Sequence, residues 1–314
     1  MGVEYSPIRV STIKPQKKLT FDLHIRFKEQ FLLYLKVGEA VDRDKLKKLK
    51  KQKVARFFID SNDEEKYQHY LDDLLDAAVT DKNMAASDRA DIVSGAAKNA
   101  VEEMRENPSS KKAYKATEKA SKGIIDVVKN NPEMLKELFK IKSEEDVTLQ
   151  TAVNTSSLAV RMAQLKGMSE EEIEAISTGG LLRDVGITKM DKKYQELFSK
   201  PLETFTNIEL KIYKTHPQLG VKVLEELETV PQEVLSIVHT HEEKLSGMGF
   251  PRGIKKLSPA EEIVSLCSSY DRLVTCLDGD PKEAIKTIGI DELGNYNLDN
   301  ITFLKKMLKD DGLI

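Results

Sequence analysis

Apolar and polar residues alternate over 21–27: Phe21, Leu23, Ile25 and Phe27 fall on one side, Asp22, His24 and Arg26 on the other. That period of two marks a half-buried strand. Lys28-Glu29-Gln30 can turn the chain into the apolar run 31–37, so the pattern predicts an antiparallel hairpin. A short basic helix over 44–51 and a strand over 54–59 complete a small α+β domain over about 1–75. His24 and His69 lie among polar neighbours and read as surface histidines. With no chemistry of its own, this domain reads as an input or interaction module.

Beyond it the period lengthens. Over 76–142 the chain is rich in Ala, Lys and Glu, strong helix formers. Ile124, Val127 and Val128, then Leu135, Leu138 and Phe139, recur at helical spacing. Asn107-Pro108-Ser109-Ser110 breaks one helix, and Asn131-Pro132 starts another with Pro at its first position. This stretch reads as a helical connector whose stripe could pack against a second protomer in a homodimer. Over 143–314 the start signals are strong: Ser169-x-x-Glu172, Thr206-x-x-Glu209, Ser258-Pro259-x-Glu261 and Asp280-Pro281-x-Glu283 read as capping boxes or close relatives. Four or more helices of this length make one all-α core. The fold class is therefore mainly α, with a small α+β domain ahead of the helices.

Composition narrows the function. At 314 residues the chain is long enough for two cored domains. A net charge of −3 gives no electrostatic case for nucleic acid or an anionic membrane. Apolar runs such as 31–35 are far too short to span a bilayer. No secretory signal stands out, so Cys267 and Cys276 read as core thiols of a soluble, cytoplasmic protein.

The densest candidate chemistry is 239–253, HTHEEKLSGMGFPRG. His239 and His241 are two apart and cannot share a helix face, so a metal or phosphate site here needs a helix end running into a loop. Gly247, Gly249 and Gly253 permit close backbone approach, and Pro251 stiffens the turn. A plain Gly/Pro loop after an acidic helix end fits the same residues.

This stretch resembles the signature of the HD-GYP family, bacterial phosphodiesterases of the HD superfamily that hydrolyse cyclic di-GMP. His241, Glu242 and Glu243 fall on His-His-Glu; Ser246 falls on the Asp, and Gly247, Gly249, Phe250 and Pro251 on Gly-x-Gly-Tyr-Pro. Leu181-Leu182-Arg183-Asp184-Val185-Gly186 is similar to the family's Leu-Leu-His-Asp-Ile-Gly. Lys200-Pro201, Phe205-Thr206-x-x-Glu209 and His216-Pro217-x-x-Gly220 follow in order. The segment IVSLCSSYDRL over 263–273 resembles the closing Asp-x-x-Asp-Ala-Leu helix. The resemblance covers 143–314 and implies an HD-type helical domain there.

The resemblance also implies an altered metal site. Asn154 stands for the first histidine, Gln150 for a glutamate, Arg183 for the histidine of the His-Asp pair, Ser268 for the distal aspartate and Ile187 for a lysine. Asp184, His216 and His241 persist, with Glu242 as an oxygen donor. A guanidinium cannot give a lone pair to a metal. The expectation is a salt-bridged pocket of Arg183 and Asp184 without metal, no confident catalytic residue, and a degenerate, inactive signalling protein. It would act as a regulatory or interaction module, engaging cyclic di-GMP, a protein partner or an HD-GYP homologue. Gly247, Gly249, Phe250, Pro251 and Arg252 are its ligand-binding candidates, Phe250 for a base and Arg252 for phosphate. The alternative is an active metal-dependent phosphodiesterase with one divalent ion, iron or manganese, on Asp184, His216, His241 and Glu242. Each residue also has a plain structural reading: a core pairing for Asp184, a helix-start hydrogen bond for His216, loop packing for Phe250, a surface charge for Arg252.

Overall fold

In a computed structural model of the chain, the described residues are 3–15, 17–52, 54–131, 133–141, 147–276 and 278–314. The start signal at Asn131-Pro132 and the reading of the Cys276 thiol fall partly outside them. Two compact units form, Met1–Asn99 and Ala100–Ile314.

The first unit is built on an antiparallel sheet of β1 (Tyr5–Arg9), β2 (Leu23–Phe27), β3 (Gln30–Leu35) and β4 (Arg56–Asp60), in the order β1-β4-β2-β3. Helices α1 (Arg43–Lys51) and α2 (Glu64–Thr80) accompany it. The β2–β3 hairpin forms where alternation placed it, and Lys28 at its turn takes a φ of 56°. Phe21 and Leu23 are buried, as the pattern requires, but Phe27 is 61% exposed. Phe27 closes β2 beside the hairpin turn, opposite Gln30, and a bulge between Leu23 and His24 shifts the β2–β3 register at the other end of the strand. β1 carries Pro7, which a strand tolerates at a sheet edge and which hides it from sequence patterning.

Helix α3 (Ala86–Glu106) runs through the division between the units. The second unit continues with α4 (Lys111–Asn130), α5 (Met134–Lys140), α6 (Val147–Leu165), α7 (Glu170–Leu182), α8 (Lys192–Gln195), α9 (Asn207–Tyr213) and α10 (His216–Glu225). α11 (Gln232–Thr240), α12 (Pro259–Asp271), α13 (Pro281–Ile290) and α14 (Leu298–Asp310) complete it. Capping boxes start α7, α9 and α12 at the predicted serines and threonine, and Ser110 caps α4 after the predicted break. The stripe of α4 differs from expectation: Ile124, Val127 and Val128 are buried within this chain, where α4 packs on α6 and α7.

α6 is buried on nearly every side, as a central helix must be, and it carries Gln150 and Asn154 inward. Leu182, Val185, Val223, Leu224 and Val238 form one apolar cluster; Ile187, Leu197, Phe198, Tyr213 and Phe250 form another. Together they fix the end of α7, the start of α10 and the end of α11. Gly186 makes the closest of these contacts: a Cβ there would lie 2.0 Å from the His216 carbonyl oxygen.

Candidate functional site

Three helix ends bring Asp184, His216 and His241 together. Arg183 closes α7 and Asp184 follows it, His216 opens α10, and His241 closes α11. The His216 Nδ1 lies 2.7 Å from the Tyr213 carbonyl oxygen, and the His241 Nδ1 lies 2.9 Å from that of Val238. A carbonyl only accepts, so each Nδ1 carries a hydrogen, and in a neutral ring the Nε2 is then the atom that offers a lone pair. The two Nε2 atoms are 3.0 Å apart and lie 3.4 and 3.5 Å from Asp184 Oδ1. Three electron-pair donors thus converge on one buried point. Among the described residues, this is the group of His, Cys, Asp and Glu that could hold a metal ion.

Burial and the neighbouring His241 lower the His216 pKa to about 4, against the pull of Asp184. For Asp184 burial works upward, yet the Arg183 charge and the two histidines hold its carboxyl well below the usual range. Arg183 itself is buried. Its Nε lies 3.3 Å from Asp184 Oδ2, and Nη1 donates to the carbonyls of Thr151 at 3.0 Å and Gly180 at 3.2 Å.

On the side of α6, neutral side chains stand where the resemblance implies ligands. Gln150 Nε2 donates to Asn154 Oδ1 at 2.7 Å, and Asn154 Nδ2 donates to Asp271 Oδ1 at 3.1 Å. Thr155 donates to Asp271 Oδ2 at 3.3 Å. A π-helical turn after α12 brings the Thr275 hydroxyl to 2.7 Å from Asp271 Oδ1. Burial pushes the Asp271 carboxyl up to about 6, and the Thr275 hydrogen bond and Arg183 charge offset only part of that. Asp271 is a site residue that sequence reasoning missed. Its signal was the second aspartate of the closing-helix motif, three residues after Ser268.

The remaining candidates divide. Glu242 is turned to Tyr213, whose hydroxyl donates to Glu242 Oε1 at 2.8 Å and accepts from Arg272 Nη1 at 2.8 Å. Glu243 is fully buried and anchors the loop: its carboxylate accepts from the Arg252 and Ile254 backbone N–H groups at 2.7 and 3.1 Å. Gly249 packs so tightly that a Cβ would meet Lys244 N at 2.3 Å. Gly247 and Gly253 take φ values of +80° and +65°, and the Phe250-Pro251 peptide is cis. Phe250 is buried against Tyr213 and His216, while Arg252 is exposed. Ser268 and Glu242, with Arg183, Asp184, Tyr213 and Arg272, line a cavity of about 20 Å³, room for one water.

The donors suit a metal ion: two imidazole nitrogens and a carboxylate match a divalent transition metal with open positions for water. Around them Arg183, Asn154, Gln150 and Ser268 supply one permanent cation and three weak neutral groups.

The HD domain family matches residues 125–293, and the chain belongs to that family. Its HD-GYP character follows from the fold as well as the motifs. Bd1817, an HDG"Y"P protein from Bdellovibrio bacteriovorus, superposes with a TM-score of 0.81 at 28% identity, over 98% of this chain and 100% of that one. The cyclic di-GMP phosphodiesterase PA4108 of Pseudomonas aeruginosa is 24% identical over 47% of this chain and 35% of its own length. A cyclic di-GMP phosphodiesterase of Thermotoga maritima is 30% identical over 38% of this chain and 32% of its own. The chain thus spans about a third of the curated relatives it matches. Among the described residues, no helix is long and apolar enough to cross a membrane.

Proposed function

We propose that this chain is an HD-GYP-type signalling module that does not hydrolyse cyclic di-GMP, and that its site takes at most one divalent ion. The carrying observation is Arg183. Its guanidinium is fixed by two backbone carbonyls and the Asp184 carboxylate, where the resemblance puts a metal-binding histidine. Asp184 is thereby neutralised without an inorganic cation. When bound, a metal supplies an activated water and a Lewis acid for the phosphoryl oxygen. Asp184, His216 and His241 would hold it, and the carbonyls of Tyr213 and Val238 keep both imidazoles turned toward it.

Access supports the same reading. A cavity of about 20 Å³ does not admit a phosphodiester, whereas small-molecule sites run to roughly 300–1,000 Å³. Tyr213, whose hydroxyl lies between Glu242 and Arg272, forms part of the wall of that cavity. The relatives named as cyclic di-GMP phosphodiesterases make that dinucleotide the ligand to test first.

A second reading, an active phosphodiesterase with one metal, is favoured by the convergence of two Nε2 lone pairs and Asp184 Oδ1. A hydrolysis assay with cyclic di-GMP and added iron(II) or manganese(II) separates the two. Our reading expects no turnover; turnover abolished by EDTA and by His216→Ala overturns it.

A further inference from the structure

We infer that the cleft between α4, α7 and the start of α11 is a binding site for a small organic cation, a primary amine on an apolar stem. The cleft holds about 880 Å³, within the roughly 300–1,000 Å³ of small-molecule sites, and it shares no lining residue with the cavity at Asp184. On α4, Tyr114, Glu118 and Ser121 are spaced by four and three residues, so they fall on one face. Ala175 and Thr178 of α7 and Val234 of α11 complete the lining the argument needs. Ala175, Val234 and Tyr114 are buried and give the cleft its apolar wall.

Tyr114 carries the first polar signal. It is only 3% exposed, yet its hydroxyl has no hydrogen-bond partner among the described residues and is not sealed from solvent. An unpaired hydroxyl on a buried residue costs stability unless something else completes it. Burial and then the Glu118 charge push the phenol up, so it stays protonated and can both donate and accept. Glu118 is half-buried, one turn further along the same face, and has no ion pair or hydrogen bond among the described residues. Burial raises its carboxyl, Lys122 and Lys115 pull it down, and Glu174 adds to the rise. Thr178 donates to Ser121 at 3.1 Å, which leaves oxygen lone pairs on both. An ammonium has three donors and no acceptor, so it suits a carboxylate beside hydroxyl oxygens. Charge decides against an anion. Five glutamates and three lysines line the cleft, and the pairing of Lys122 with Glu174 at 3.8 Å leaves four against two.

The test titrates the full chain with phenethylamine, an ammonium on an aromatic stem, and with 2-phenylethanol, its uncharged counterpart, followed by ligand-observed NMR. The amine should bind at one site, at least about tenfold more tightly than the alcohol. Glu118→Gln should weaken the amine about tenfold and leave the alcohol unchanged. Tyr114→Phe should weaken the amine severalfold, while its thermal unfolding midpoint stays at or above the wild-type value because the hydroxyl has no partner to lose. An amine that does not bind, or binds no more tightly than the alcohol, overturns the site. Amine binding untouched by both variants overturns it as well. So does a lowered unfolding midpoint in Tyr114→Phe, since the hydroxyl would then serve the fold and not a ligand.

Discussion

Replacing Arg183 by methionine keeps the side-chain length and removes the charge, and its consequence can be worked from the contacts. Asp184 would lose the ion pair at 3.3 Å, and the carbonyls of Thr151 and Gly180 would lose the donor Nη1. Breaking a buried pair by removing one partner costs about 3–5 kcal/mol, because the other charge stays buried without compensation. Arg183→Met should therefore lower stability by about 3–5 kcal/mol at neutral pH. The pH dependence has a definite sign. In the wild type, Asp184 titrates below its ordinary value, so its stabilising contribution is present above that value and lost as pH falls toward the folded one. Without Arg183 the upward push of burial is opposed by the histidines alone, so the deficit shrinks as pH falls and Asp184 takes up a proton. Adding Asp184→Asn should recover most of the loss at neutral pH. Urea unfolding of the single and double variants at pH 7 and pH 5, followed by helical circular dichroism, measures both effects. A single variant within about 1 kcal/mol of wild type, with no recovery in the double, would refute the reasoning.

Further outcomes follow from the same contacts. Glu243→Gln should cost about 1–3 kcal/mol, since one of the two backbone N–H groups it serves faces an amide N–H₂ instead, and hydrogen exchange over the Gly247–Gly253 loop should quicken. Asp271 titrates at about 6, above its ordinary 3.8, so the wild type loses stability as pH rises through that window. Asp271→Asn should remove that slope, and the stability difference between variant and wild type should grow in the variant's favour from pH 4 to pH 7. Gly186→Ala should cost about 1–3 kcal/mol through the clash with the His216 carbonyl and weaken any metal uptake, read by thermal unfolding and metal analysis. The triple variant Arg183→His, Asn154→His, Ser268→Asp should gain metal beyond the wild-type content.

Much of the helical unit was legible because its signals are local. Capping boxes lie within four residues, and the ordered motifs name Arg183, Asp184, His216 and His241 directly. What escaped was set by partners far apart in the chain. Asn154 and Asp271 are 117 residues apart, and nothing in either residue type announces that an amide replaces a ligand by pairing with a buried carboxyl. Glu242 and Glu243 look equivalent in sequence, yet one meets a tyrosine hydroxyl and the other ties down a loop. The sequence leaves Phe250 open between a face for a base and loop packing; its ring lies buried against Tyr213. In the sheet, alternation placed the hairpin but neither the bulge at Leu23/His24 nor the exposure of Phe27 beside the turn.

The most direct test of the central claim counts metal in protein expressed and purified with iron or manganese present, by inductively coupled plasma mass spectrometry. An arginine in the ligand ring predicts no more than one ion per chain, lost on His216→Ala. Two ions per chain, retained with Arg183 in place, would contradict it.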